Sequence, residues 1–131
     1  MKPIYMAVMG TLKKGGSNHR LLSTSEFIGS GSTLPIFGMK SLGGFPSLIE
    51  GNQEAMVEVY HIDEATLSRL DSLEGYRPDG SSFFTREQVP ITLDNGIELV
   101  AWLYWVADPL TIKSNPDYTV VDQFNRLNWS Y

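Results

Sequence analysis

The sequence predicts an α+β fold with a mostly antiparallel sheet. Strand-like runs outnumber helical ones, no regular βαβ alternation links them, and two long runs flank an Asn-Gly turn near residue 95. With 131 residues, 42% hydrophobic and 19% charged, the chain is long enough for a real core in one domain, residues 1–131.

Ile4 to Val8 is an apolar run bounded by Pro3 and Gly10, which is the pattern of a buried strand. Gly10, Gly15 and Gly16 punctuate the loop that follows, and Ser17 or Asn18 is placed to cap a short helix containing Leu21 and Leu22. Phe27-Ile28-Gly29 and Ile36 to Met39 read as strands separated by Gly/Ser/Thr turn chemistry. Met56 to Ile62 alternates apolar with polar residues and reads as a half-buried strand. Asp63 then caps a helix with Leu67, Leu70 and Leu73 along one face and Gly75 just past its end. Gln88 to Leu93 and Ile97 to Val106 flank Asp94-Asn95-Gly96, which predicts a hairpin with a type I′ turn. After Pro116 and Asp117, the spacing of Val120, Phe124 and Leu127 predicts a short amphipathic helix.

Composition removes several classes of function. A net charge of −5 and a sequence pI near 4.9 argue against a nucleic-acid binder, with Lys13, Lys14 and Arg20 forming only a local positive patch. No cysteine is present, which removes disulfides, thiol nucleophiles and cysteine-ligated metals and fits a cytoplasmic location. His19 and His61 are isolated from one another and lack metal-site spacing, so no metal is expected. The N-terminus reads as a strand rather than a signal peptide, and no segment has the ~20 apolar residues of a membrane helix.

Two features carry chemistry. The first is the run from Met9 to Asn18, where strand, glycine loop and helix start follow one another and backbone N–H groups can form a positive nest. Gly10 and Gly15 have the spacing of a phosphate loop, but Gly16 stands where its lysine belongs. A carboxylate or a developing oxyanion is therefore the better guest, and a plain connecting turn is the alternative. The second feature is Glu74, a carboxylate in the last turn of the predicted helix, where the macrodipole is unfavourable to an anion. Asp71 adds like charge one turn earlier. Both effects raise proton affinity, as a general base working near neutrality requires; the alternative is a solvated helix end paired with Arg69 or Arg77. Gly43-Gly44-Phe45-Pro46 reads as a turn with Phe45 plugging the core, or as a pocket wall. Arg86 reads as one half of a cross-strand ion pair or as a partner for an acid near the site, and Trp102, Tyr104 and Trp105 read as core packing.

The segment Gly-Thr-Leu-Lys-Lys-Gly-Gly-Ser-Asn-His-Arg-Leu-Leu from Gly10 resembles the N-terminal signature of the gamma-glutamylcyclotransferase-like proteins, Tyr-Gly-(Ser/Thr)-Leu, a basic turn, then Asn. Its Asn-His-Arg continuation is similar to the gamma-glutamylamine cyclotransferase branch. Further matching segments follow in the family's order: Gly43 to Ile49, Val57 to Tyr60 with Leu70 to Tyr76, and Phe84-Thr85-Arg86. The resemblance implies a small, mostly antiparallel β-barrel with a few peripheral helices. It also implies that Glu74, in its Leu-Asp-x-x-Glu-Gly pattern, is the catalytic acid/base. Met9, Gly10, Thr11 and Leu12 would bind substrate, with Asn18, Phe45 and Arg86 as further pocket candidates. The implied reaction closes 5-oxoproline from a γ-glutamyl amine and frees the amine, needing no cofactor and no partner beyond that small molecule. Met9 and Phe84 stand where the family carries tyrosines. The loss of two hydroxyls leaves open a second reading, a small-molecule binding or sequestering module on the same fold.

Overall fold

The computed structural model describes residues 3–79, 81–106 and 108–129. Five strands close a barrel in the order β1-β5-β2-β6-β7: β1 (Ile4–Val8), β2 (Glu26–Thr33), β5 (Met56–Ile62), β6 (Phe84–Leu93) and β7 (Glu98–Val106). Four of the five seams are antiparallel; β1 meets β7 in parallel at Met6↔Trp102. An odd number of strands cannot close with every seam antiparallel, so the barrel is mixed by necessity. Outside it, β3 (Phe37–Ser41) and β4 (Pro46–Glu50) form a two-stranded antiparallel sheet, from Phe37↔Glu50 to Ser41↔Pro46.

Period-two alternation sorts the strand residues into two cores. Ala7, Val57, Val59, Ala101 and Leu103 belong to one, together with Met39 and Leu48 from the β3–β4 sheet. Met6, Val8, Tyr60, Ile62 and Tyr104 belong to the other, where Leu22 and Leu70 cover them. Leu70 comes from α1 (Glu64–Glu74), and Leu22 from a single 3₁₀ turn, His19–Leu22. Asp63 caps α1 by accepting from the Thr66 N–H at 2.7 Å, and Gly75 ends it in the left-handed conformation, φ 67°. No helix among the described residues is long and apolar enough to cross a membrane.

Several local expectations are corrected. The hairpin turn is not type I′. Gly96 has a positive φ (89°) and Asn95 does not; the Gly96 N–H bonds to Leu93 O and the Leu93 N–H to Ile97 O, both at 2.8 Å. Asp94-Asn95-Gly96 is therefore a three-residue loop ending in a left-handed glycine, which suits the strand twist equally well. Asn18 precedes the 3₁₀ turn but makes no capping bond; its amide donates to Thr11 Oγ1 at 3.0 Å. Pro46, read as part of a turn, instead opens β4, Pro46–Glu50, a strand the sequence pattern did not assign.

Among its described residues the tail contains no amphipathic helix. Beyond a 3₁₀ turn at Pro109–Ile112, it runs extended with bridges Lys40↔Asp117, Ala55↔Leu127 and Val121↔Leu127. Leu127 is fully buried, whereas Val120 and Phe124 are 52% and 64% exposed. Asn125 adopts φ 62°, a value no α-helix tolerates, and Asp122 accepts from the N–H groups of Phe124 and Arg126. Pairing within the tail, where the Asn128 N–H bonds to Val120 O and the Asp122 N–H to Arg126 O, together with that of Leu127 to Glu54 and Met56, satisfies the backbone in place of helical bonds.

Candidate active site

A cavity of about 380 Å³ opens where β1 runs into its glycine loop. Its floor and one wall come from Ala7 to Leu12, and Ser17 and Asn18 continue that wall. Gly44, Phe45 and Pro46 close a second side, while Leu73 and Glu74 enter from the end of α1 and Phe84, Leu103 and Tyr104 from the β6–β7 hairpin. Met9, Gly10, Thr11, Leu12, Asn18, Phe45 and Glu74, far apart in sequence, thus surround one space. Arg86 does not line it. Phe45 is no core plug: it is 42% exposed and forms part of the cavity wall. Leu73, on the predicted apolar face of α1, is likewise turned to the cavity rather than the core.

From Gly10 to Leu12 the loop's carbonyls are occupied and the amides of the same residues are not. The carbonyls of Gly10, Thr11 and Leu12 take the Lys13 N–H (3.0 Å), the Asn18 N–H (3.0 Å) and the His19 ring nitrogen Nδ1 (2.9 Å). Among the described residues, no acceptor pairs with the N–H groups of these same three residues. Three consecutive donors without partners make a nest for negative charge. Gly10 lets Pro46 approach closely: a Cβ there would lie 3.0 Å from Pro46 Cγ and 3.1 Å from Cδ, so the proline ring would have to give way.

The loop is also held from below. Lys13 is buried, and its ammonium donates to Asn128 Oδ1 (2.9 Å) and to the Trp129 carbonyl (2.7 Å), so it is no part of a surface patch. Burial lowers its pKa, opposed by the nearby carboxylates of Glu58 and Asp122. The Lys14 N–H bonds to Glu58 Oε1 at 2.9 Å, and Glu58 also accepts from the Tyr60 hydroxyl at 3.0 Å. The loop is tied by these contacts both to β5 and to the extended tail.

Glu74 occupies the opposite side. Burial pushes its carboxyl up from 4.5 to about 7. No described residue forms an ion pair or side-chain hydrogen bond with it; Arg69 instead donates to Thr66 Oγ1 at 3.1 Å. The like charge of Asp71, expected to raise Glu74, is already engaged. Arg86 grips Asp71 with Nε to Oδ1 at 2.9 Å and Nη2 to Oδ2 at 3.2 Å, and the Tyr104 hydroxyl donates to Oδ1 at 2.6 Å. Arg86 therefore joins strand to helix, not strand to strand. Desolvation is what raises Glu74.

A sequence profile described as gamma-glutamyl cyclotransferase, AIG2-like matches residues 6–129. The chain belongs to that family. Among relatives of this family member, a Methanocaldococcus jannaschii protein named as a gamma-glutamylcyclotransferase is 41% identical over 104 residues, covering 77% of the chain and 82% of its own length. The gamma-L-glutamyl-butirosin B gamma-glutamyl cyclotransferase of Niallia circulans is 29% identical over 99 residues, or 74% of the chain and 63% of that protein. An AIG2-like protein of Mus musculus shares the fold, with a TM-score of 0.74 across 99% of the chain and 98% of its own at 23% identity. Membership supports a gamma-glutamyl cyclotransferase function in the broad sense.

Sequence reasoning missed Tyr104 as a cavity residue of this cyclotransferase-family chain. Alternation along β7 puts it on the face opposite Leu103, yet both line the cavity, which opens at the end of the barrel where β1 leaves its seam with β7. Met9 and Phe84, the positions lacking the family's tyrosines, both line the cavity.

Proposed function

We propose that the chain cleaves γ-glutamyl amines by intramolecular aminolysis, with Glu74 as acid/base and the Gly10–Leu12 amides as the oxyanion or carboxylate cradle. The observation that carries this is the shared cavity: a carboxyl with a pKa of about 7 on one side and three unpartnered amides on the other. Glu74 takes a proton from the substrate α-ammonium, and the freed amine attacks the γ-carbonyl. The negative charge that develops on the carbonyl oxygen falls to the amides, where aligned donors are worth ~3 kcal/mol each. Collapse breaks the γ-amide bond, Glu74 returns its proton to the leaving amine, and 5-oxoproline remains. Nucleophile and electrophile share one molecule, so the site mainly holds a folded conformer, which can supply an effective concentration of ~10⁵ M or more.

The donor class is supported by the butirosin B relative, which is named for a γ-glutamyl substrate. Preference for amines over α-amino acids rests on the Asn18-His19-Arg20 continuation. A second reading is favoured by Met9 and Phe84: an apolar lining where hydroxyls are usual suits a binding or sequestering module that turns over slowly or not at all. Release of 5-oxoproline from a panel including γ-glutamyl-ε-lysine and γ-glutamyl-alanine tests both. The enzyme reading expects turnover that falls below about pH 7 and is abolished in Glu74→Gln with binding retained. Better turnover of γ-glutamyl-alanine would overturn the amine preference. Tight binding without product from any member would favour the sequestering module.

A further inference from the structure

Beneath Glu74 lies a second charged cluster to which the reaction above gives no role. Asp71 sits one helical turn before Glu74 on α1, so the two carboxylates share a face. Left alone, that neighbour would repel the Glu74 carboxylate. It is not left alone: the Arg86 fork holds both of its oxygens, and Tyr104 adds a third hydrogen bond. Arg86 is itself fixed, its guanidinium lying 4.7 Å from the Tyr76 ring centroid and 4.3 Å from that of Trp102. The chain of contacts runs from β6 to α1 to β7, and its last member, Tyr104, lines the cavity beside Glu74.

We propose that the Arg86–Asp71–Tyr104 chain is the positioning device of this site: it pins the last turn of α1 to the barrel and cancels the Asp71 charge, so that Glu74 faces the cavity as an isolated carboxyl. The role is additional to the acid/base assignment of Glu74 and rests on it. Arg86 and Asp71 act through Glu74 and touch no substrate. Other charged groups around Glu74 are few. Tyr104 is the second titratable residue lining the cavity, its hydroxyl held protonated by burial and by Asp71. The 3₁₀ turn packed on α1 contributes His19, which bonds to Leu12 O, and Arg20, which donates to Ser17 O. On α1 and just beyond it, Arg69 is held by Thr66, and Arg77 is exposed. Tyr104 senses the charges of Asp71, Glu74 and Arg86 together, while burial alone raises Glu74, as expected where the Asp71 charge is cancelled.

The test is the titration of the Glu74 side-chain carboxyl, followed by carbon NMR in protein labelled at glutamate and assigned with Glu74→Gln. Asp71→Asn leaves Arg86 as an uncompensated cation, so the Glu74 midpoint moves down by about one unit; Arg86→Gln leaves Asp71 as an uncompensated anion, and the midpoint moves up by about one unit. The double variant returns to the wild-type value. A chain that only stabilises the fold would lower Tm and leave the midpoint where it was, and that result overturns the proposal. Should Arg86→Gln fail to fold, the downward shift in Asp71→Asn decides alone. In kinetics, the acid limb of kcat/KM follows the same displacements. NMR midpoints moving in opposite directions in a protein inactive on every γ-glutamyl amide would uphold this inference and remove the cyclotransferase reading. An active enzyme with unmoved midpoints would do the reverse.

Discussion

Replacing Glu74 with Gln should make the protein more stable at pH 8.5 and leave its stability nearly unchanged at pH 4.5. Folding lifts the Glu74 pKa from 4.5 to about 7 because the carboxyl is withdrawn from water without a compensating partner. Between those two values, the folded state holds a proton that the unfolded chain has released. The contribution of this group is therefore intact below about pH 4.5 and is lost as pH rises through 7. A displacement of about 2.5 units at ~1.4 kcal/mol per unit amounts to about 3 kcal/mol of destabilisation in the wild type above neutrality. Gln carries no charge at any pH and avoids it. For a domain of this size, each kcal/mol corresponds to roughly 3–5 °C, so the variant should melt about 10 °C above the wild type at pH 8.5. Calorimetric or circular-dichroism melts of both proteins at the two pH values supply the measurement. All other titrating groups are common to both proteins and cancel in the difference. A Tm offset that is the same at pH 4.5 and 8.5 would show a well-solvated carboxylate and refute the desolvation reasoning.

Three further outcomes follow from the same contacts. Gly10→Ala forces a Cβ against the Pro46 ring at 3.0 Å and moves the amide cradle; steady-state kinetics should show kcat falling by about 5- to 150-fold, for ~1–3 kcal/mol of lost alignment, with a smaller change in KM. Lys13→Met leaves Asn128 Oδ1 and the Trp129 carbonyl without their donor and should cost about 1–3 kcal/mol in urea unfolding; a neutral result would show that the tail is held without the ammonium. In the tail itself, Leu127→Ala should destabilise by about 2–5 kcal/mol and Phe124→Ala by no more than about 0.5 kcal/mol. Equal costs at the two positions would indicate the amphipathic helix that the sequence pattern suggested.

The elements with strong local signals were legible from sequence. A bounded apolar run placed β1 and alternation placed β5, Asp63 and Gly75 bracketed α1 within a residue of its ends, and the Asp94–Gly96 loop marked the final hairpin. Its turn type was misjudged because Asn-Gly serves two hairpin geometries, and the strand register selects between them. The tail misled for a related reason: Val120, Phe124 and Leu127 satisfy a helical period, but Val120 pairs with Asn128 in a local loop-back, Phe124 donates to Asp122, and Leu127 is taken by Glu54 and Met56, partners beyond any local pattern.

For the site, sequence singled out the two chemical groups, a glycine-punctuated loop and a carboxylate at an unfavourable helix end, because each violates a local rule that ordinary structure obeys. The tertiary structure decided what those violations do. Barrel closure through the parallel β1–β7 seam brings Tyr104 beside Glu74, β4 delivers Phe45 and Pro46 to the loop, and Arg86 removes the Asp71 charge that sequence spacing alone would have counted against Glu74. Spacing records neighbours along one element. Desolvation and charge cancellation depend on what packs against that element from elsewhere in the chain, and those partners are fixed only when the sheet closes.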